Sequence, residues 1–158
     1  IATSKANIDA RKKQMNVQMI SHDKINQLRH VRFFKNIDGL KAQMAKHAEI
    51  LRPKFEAVDE ILNEELGGLE IGKWTKPNGG YFVSFDSLDG CAKAIVAKCK
   101  EAGVVMTGAG ATYPYGKDPH DSNIRIAPSF PSLDDLRQAA EIFCVCVKLV
   151  SVEKLLAE

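Results

Sequence analysis

The 158-residue chain lacks the sequence signatures of the common catalytic centres. It has no H-E-x-x-H pair, no G-x-S-x-G nucleophile turn and no Walker phosphate loop. Its four cysteines, Cys91, Cys99, Cys144 and Cys146, include no C-x-x-C pair, and no histidine stands at ligand spacing from them, which argues against a zinc site. Cys144 and Cys146 lie two apart on an expected helix, about 200° around its axis, so they do not share a metal. Reduced thiols in the core of a cytoplasmic protein are the expectation. No run approaches the roughly 18 apolar residues of a membrane span, and Ile1 to Ala10 has no apolar stretch of the kind a leader needs. A starting methionine is also absent. The chain opens on Ile1, and a piece of a longer protein or a processed product is expected.

What is present is an ordinary globular composition, 45% apolar and 27% charged, with an uneven charge distribution. Residues 1–54 hold 12 Lys/Arg against 4 Asp/Glu, a net of +8, while residues 55–158 hold 10 against 16, a net of −6. A basic third can serve nucleic acid. Here Arg11-Lys12-Lys13 is the sole cluster, and scattered charges at helical spacing read as a solvated helix face, with no nucleic-acid partner expected.

Apolar periodicity divides the chain in two. Ile1 to Ser4 reads as a strand end, and Ser4 caps a helix from Lys5 to about Gln14, followed by the connector NVQMIS. Ser21 or Asp23 caps a second helix with Ile25, Leu28, Val31 and Phe34 on one stripe. A third runs from Asn36 or Asp38 to Leu66, with a bend or break expected at Pro53. Beyond Gly67-Gly68 the period shortens. LEIGKW, GYFVSFD, VVMTG and NIRIA read as strands. Ser87 is expected to open a helix through Ala92, Ile95 and Cys99, and Ser132 to cap a last helix, with Asp135 at the capping-box position. This grouping predicts an α+β fold, a small antiparallel or mixed sheet with helices packed on one face.

The chemistry-bearing residues are few. His22, His30, His47 and His120 are dispersed. Gly108-Ala109-Gly110 is not followed by a helix and so offers phosphate no helix N-terminus. KDPHDSN lacks the ligand spacing of a metal loop. Arg125 differs. Period-2 alternation puts Ile124 and Ile126 on one face of its strand and Asn123 and Arg125 on the other. A planar guanidinium on a strand suits two-pronged binding of a carboxylate, and it equally suits a pair with an acidic neighbour. Gly79 and Gly80 ahead of the GYFVSFD strand permit close backbone approach, or simply a hairpin turn.

In chain order, Pro77 to Phe82 is a Pro-x-Gly-Gly-Tyr-Phe turn and strand, and Gly103 to Thr107 a Gly-Val strand. Ala109 to Asp121 is a Gly/Tyr/Pro loop, and Asn123 to Ile126 an Asn-x-Arg-Ile strand before a capped helix. This series resembles the C-terminal small domain of fold-type I aminotransferases, which use pyridoxal 5′-phosphate. His30 to Val58 resembles the subgroup described as MocR-like or aspartate-aminotransferase-like. The resemblance implies that Arg125, with Asn123, binds the substrate α-carboxylate, and that Gly79, Gly80 and Tyr81 line a cleft toward a large domain. It implies that residues 1–20 are a remnant and connector, and residues 21–158 the small domain. Amino acid and 2-oxo acid substrates and a homodimeric parent are implied too. The cofactor's Schiff-base lysine and phosphate site would lie in the large domain. Lys5 follows a Ser as that lysine does, but no glycine-containing segment follows it, so no catalytic residue and no bound cofactor are expected in this chain. Two other readings stand beside this one. One is the effector-sensing domain of a MocR-type transcription regulator, and the other a free-standing α+β ligand or interaction module with Arg125 structural.

Overall fold

A computed structural model describes residues 3–19 and 23–157. The expected strand end at Ile1 and Ala2, the connector's Ile20 and the alternative cap Ser21 lie outside them. The chain divides into two compact units, Ile1–Lys46 and His47–Glu158.

The first unit contains α1 (Lys5–Gln18), α2 (Lys24–Phe34) and the start of α3 (Ile37–Leu66). Each begins on a polar cap, as the sequence predicts. Ser4 Oγ accepts from Asn7 N, Asp23 Oδ1 from Asn26 N at 3.0 Å, and Asn36 Oδ1 from Gly39 N at 3.0 Å. Such caps satisfy the first amides of a helix, each worth about 1 kcal/mol. Helix α1 runs four residues past the expected end, taking in Asn16 to Gln18, because none of those residues is a helix breaker. Neither α1 nor α2 buries a residue, and the α2 stripe is exposed at Ile25, Leu28 and Val31.

Helix α3 passes through Pro53 without a second helix starting there. A proline removes one backbone bond, whereas the turns beyond it are held by burial of Val58, Ile61, Leu62 and Leu66. That burial outweighs the single missing bond.

The second unit holds three antiparallel strands in the order β1 (Gly72–Trp74), β2 (Val83–Ser87) and β3 (Asn123–Ile126). Register pairs Trp74 with Phe85, Phe85 with Ile124, Ser84 with Arg125 and Asp86 with Asn123. Because side chains alternate, one face shows Phe85 and Ile124, both fully buried, and the other shows Ser84, Asp86, Asn123 and Arg125. The buried face packs on the C-terminal part of α3, on α4 (Ala92–Glu101) and on α5 (Leu133–Ala157). Phe85 sits at its centre, edge-on to Phe143 at 5.0 Å and stacked with Trp74 at 6.1 Å. The fold is therefore α+β with helices on one sheet face, and the sheet is purely antiparallel.

Two expectations fail locally. VVMTG forms no strand, since no neighbouring chain pairs with it. Its Val104 N instead bonds Cys99 O at 2.8 Å as α4 ends, and Met106 packs against the core. Ser87 ends β2 rather than opening a helix. Its hydroxyl donates to Ser122 O at 3.1 Å, and α4 begins at Ala92, five residues beyond the expected cap. The Ser132 cap holds: its Oγ accepts from Asp135 N at 3.2 Å and donates to Asp135 Oδ2 at 2.7 Å. Both Cys144 and Cys146 are buried although they point apart, because α5 is enclosed on more than one side there. All four cysteines are buried and none forms a disulfide, and burial pushes the Cys99 and Cys144 thiols up to about 12.

Phe85→Ala should cost about 3–5 kcal/mol, since it removes the ring that joins the sheet to α5 and leaves a cavity behind. Urea unfolding followed by circular dichroism measures this, and an effect below about 1 kcal/mol would mean that the core lies elsewhere.

Candidate functional site

The open sheet face is polar where the other is apolar. Arg125 stands opposite Ser84 on that face, and Asn123 opposite Asp86. The Arg125 guanidinium carbon lies 4.5 Å over the centre of the Phe82 ring. Phe82 shares this face because it is two residues before Ser84 in an extended chain. A cation–π contact of this kind contributes roughly 0.5–2 kcal/mol. Nη2 donates to Thr107 Oγ1 at 3.4 Å, and Nε is buried with no hydrogen-bond partner. Among the described residues no carboxylate lies within 4.0 Å of Arg125, so the acidic-neighbour reading is not what the structure shows. The site thus offers a cation held by a ring and a hydroxyl, with no counter-charge of its own. A planar oxyanion is its chemical complement.

Asn123, by contrast, is only 7% exposed. Its Nδ2 donates to Ser84 Oγ at 2.9 Å and to Asp86 Oδ1 at 2.7 Å, and its Oδ1 accepts from Thr112 Oγ1 at 2.6 Å. The loop before β3 is organised around this residue. Asn123 O accepts from Gly110 N, while Asn123 N donates to Asp118 Oδ2 at 2.8 Å. Asp118 also accepts from Ser122 N at 2.9 Å and His120 N at 3.0 Å. The amide of Asn123, with those of His120 and Ser122, holds the Asp118 carboxyl below its ordinary value of 3.8. Gly110 has φ +79°, and a Cβ there would stand 2.7 Å from Gly116 O, so only glycine fits the neck of the loop. Tyr115 at the tip has φ 58° and is 97% exposed.

Gly79, Gly80 and Tyr81 form the exposed bend that leads into Phe82. Gly80 has φ +89° and open space about it. Neither Phe82 nor Thr107 was singled out from the sequence as a site residue. The parity of Phe82 with Ser84 would have found the ring once the β2–β3 register was known, whereas nothing local marks Thr107.

A family model described as aspartate amino-transferase matches residues 1–158, and the chain belongs to that family. A Mycolicibacterium smegmatis protein that bears an aminotransferase name is 52% identical over 139 residues, 88% of this chain and 32% of that protein. The crystal structure of an aspartate transaminase from Corynebacterium glutamicum superimposes with a TM-score of 0.79 at 40% identity, covering 96% of this chain and 36% of that one. LysN, an α-aminoadipate aminotransferase of Thermus thermophilus solved with N-(5′-phosphopyridoxyl)-L-leucine, shares the fold at 16% identity and a TM-score of 0.62, over 72% of this chain and 28% of its own. The chain spans about a third of the length of the curated relatives it matches. Its α+β unit is the small-domain fold of fold-type I aminotransferases.

Lys5 does not have the surroundings of a pyridoxal phosphate lysine. Lys5 lies on the exposed face of α1, its side chain 89% accessible and paired with Asp9. A cofactor lysine needs an enclosed pocket that lowers its pKa and excludes water. Mixing this chain with pyridoxal phosphate should therefore give no lysine-bound visible band that Lys5→Ala abolishes. A stable band lost in that variant would restore Lys5 as a cofactor residue.

A depressed carboxyl contributes stability above its unfolded pKa, and this is lost as pH falls through the lower folded value. The loop before β3 should accordingly hold down to below about pH 4. In an NMR titration the amide protons of His120, Ser122 and Asn123 should move together with a midpoint under 3.8, and Asp118→Asn should abolish that step.

Proposed function

We propose that this chain is the carboxylate-anchoring small domain of a pyridoxal-phosphate-dependent aminotransferase, which moves an amino group between an amino acid and a 2-oxo acid. Arg125 holds the substrate α-carboxylate in this reading. The observation that carries it is the guanidinium itself, fixed on a strand, stacked on Phe82 and without a carboxylate partner. Family membership supports it, as do the names of the relatives. Orientation is the domain's contribution. A substrate held by two parallel hydrogen bonds cannot swing, and its reacting carbon stays where the rest of the enzyme acts on it. The bend at Gly79 to Tyr81 borders the same cleft. Residues 1–20 lead into residues 21–158, and the cofactor is bound by a large domain outside this chain. The cofactor supplies the electron sink for the reaction.

In the whole enzyme, Arg125→Ala should lower kcat/KM by roughly 30- to 1000-fold, the loss of about 2–4 kcal/mol of charge-assisted contact, while cofactor absorbance is retained. Arg125→Lys should also be poor, because an ammonium cannot make the paired bonds. Steady-state kinetics of both variants test this, and unchanged turnover in Arg125→Ala would overturn it.

A further inference from the structure

We infer that Asn123 is a positioning residue, the joint that fixes the 109–121 loop and β2 to the strand carrying Arg125, and that it does not itself contact substrate. The functional meaning of the joint rests on the proposal for Arg125. Its geometry does not.

Five partners meet on this one residue. Its backbone takes the start of the loop at Gly110 and the end of the loop at Asp118, and its side chain takes Thr112 and the β2 residues Ser84 and Asp86. A primary amide has two N–H donors, and both are used. Its oxygen is held at 2.6 Å by the Thr112 hydroxyl. The amide orientation is fixed by chemistry, because an ionised Asp86 only accepts and so must face Nδ2. A residue 7% exposed with both donors committed has none left for a ligand. The same bonds hold β3 in place two residues from Arg125, and Ser84 stands directly across from Arg125 in the register. Displacing the amide therefore disturbs both Ser84, the register partner of Arg125, and the loop at Thr112.

The test reverses the hydrogen bond. Asn123→Asp puts a carboxylate against Asp86 where an amide stood at 2.7 Å. At roughly pH 8 the two repel. Hydrogen exchange on this 158-residue chain should then show the Gly110, Tyr113 and Gly116 amides losing protection by on the order of tenfold or more. The Arg125 guanidinium resonances should shift and broaden in the same variant. Adding Asp86→Asn gives a donor facing an acceptor again and should restore both readouts. Thr112→Val, which changes no charge, should loosen Gly110 and Tyr113 while leaving the Arg125 signal nearer its original position. In the whole enzyme the double variant should recover kcat/KM. If Asn123 instead touched substrate, the single variant would lose turnover with loop and Arg125 signals unmoved, and the double variant would not recover it. Either result overturns the inference. Should Arg125→Ala leave turnover intact, the exchange and resonance measurements on this chain still decide whether Asn123 is the joint.

Discussion

Strand β3 has only two faces, and it assigns them opposite tasks. Ile124 is fully buried against Phe85, while Arg125 is half-buried on the opposite face and stacked on Phe82. Everything else in the second unit follows from holding that alternation in register. The apolar side is fixed by the packing of Phe85 between Trp74 and Phe143, and a one-residue slip would exchange the two faces entirely. The polar side is fixed by hydrogen bonds, which carry direction as well as energy. Apolar burial holds one face in register, and the Asn123 bonds hold the polar one.

Much of this was legible in the sequence because it is local. The alternation of Asn123, Ile124, Arg125 and Ile126 gives the two faces without reference to any other part of the chain. The caps at Ser4, Asp23 and Ser132 are likewise decided within four residues. The misreadings share a different origin. VVMTG has the composition of a strand, but a strand exists only if a partner reaches it, and β1, β2 and β3 leave it none. Ser87 looks like a helix cap, yet its hydroxyl is claimed by Ser122, 35 residues away. Pro53 offered a bend or a break, and the break is overridden by the burial of residues further along the same helix. The supports of Arg125 are equally non-local, since Phe82 and Thr107 reach it only through the fold.

The two units differ in how they use their apolar residues. In the second, Leu62, Leu66, Phe85, Ile95 and Val147 form one core. In the first, α1 and α2 leave Met15, Val17, Ile25, Val31 and Phe33 exposed. The helices of the first unit are secured by caps and backbone bonds, and these alone are marginal for segments of this length. The basic excess of residues 1–54 falls largely on these helices and keeps their polar faces hydrated.

The neck of the loop at Gly110 and Gly116 has a consequence for how this surface can change over time. With the neck closed and the ends anchored on Asn123, the tip around Tyr113 to Tyr115 is mechanically insulated from the sheet. Insertions, deletions or wholesale replacement there alter what the surface displays without transmitting force to β3. The tip is in that sense an exchangeable cassette, free to change while the strand that carries Arg125 keeps its geometry.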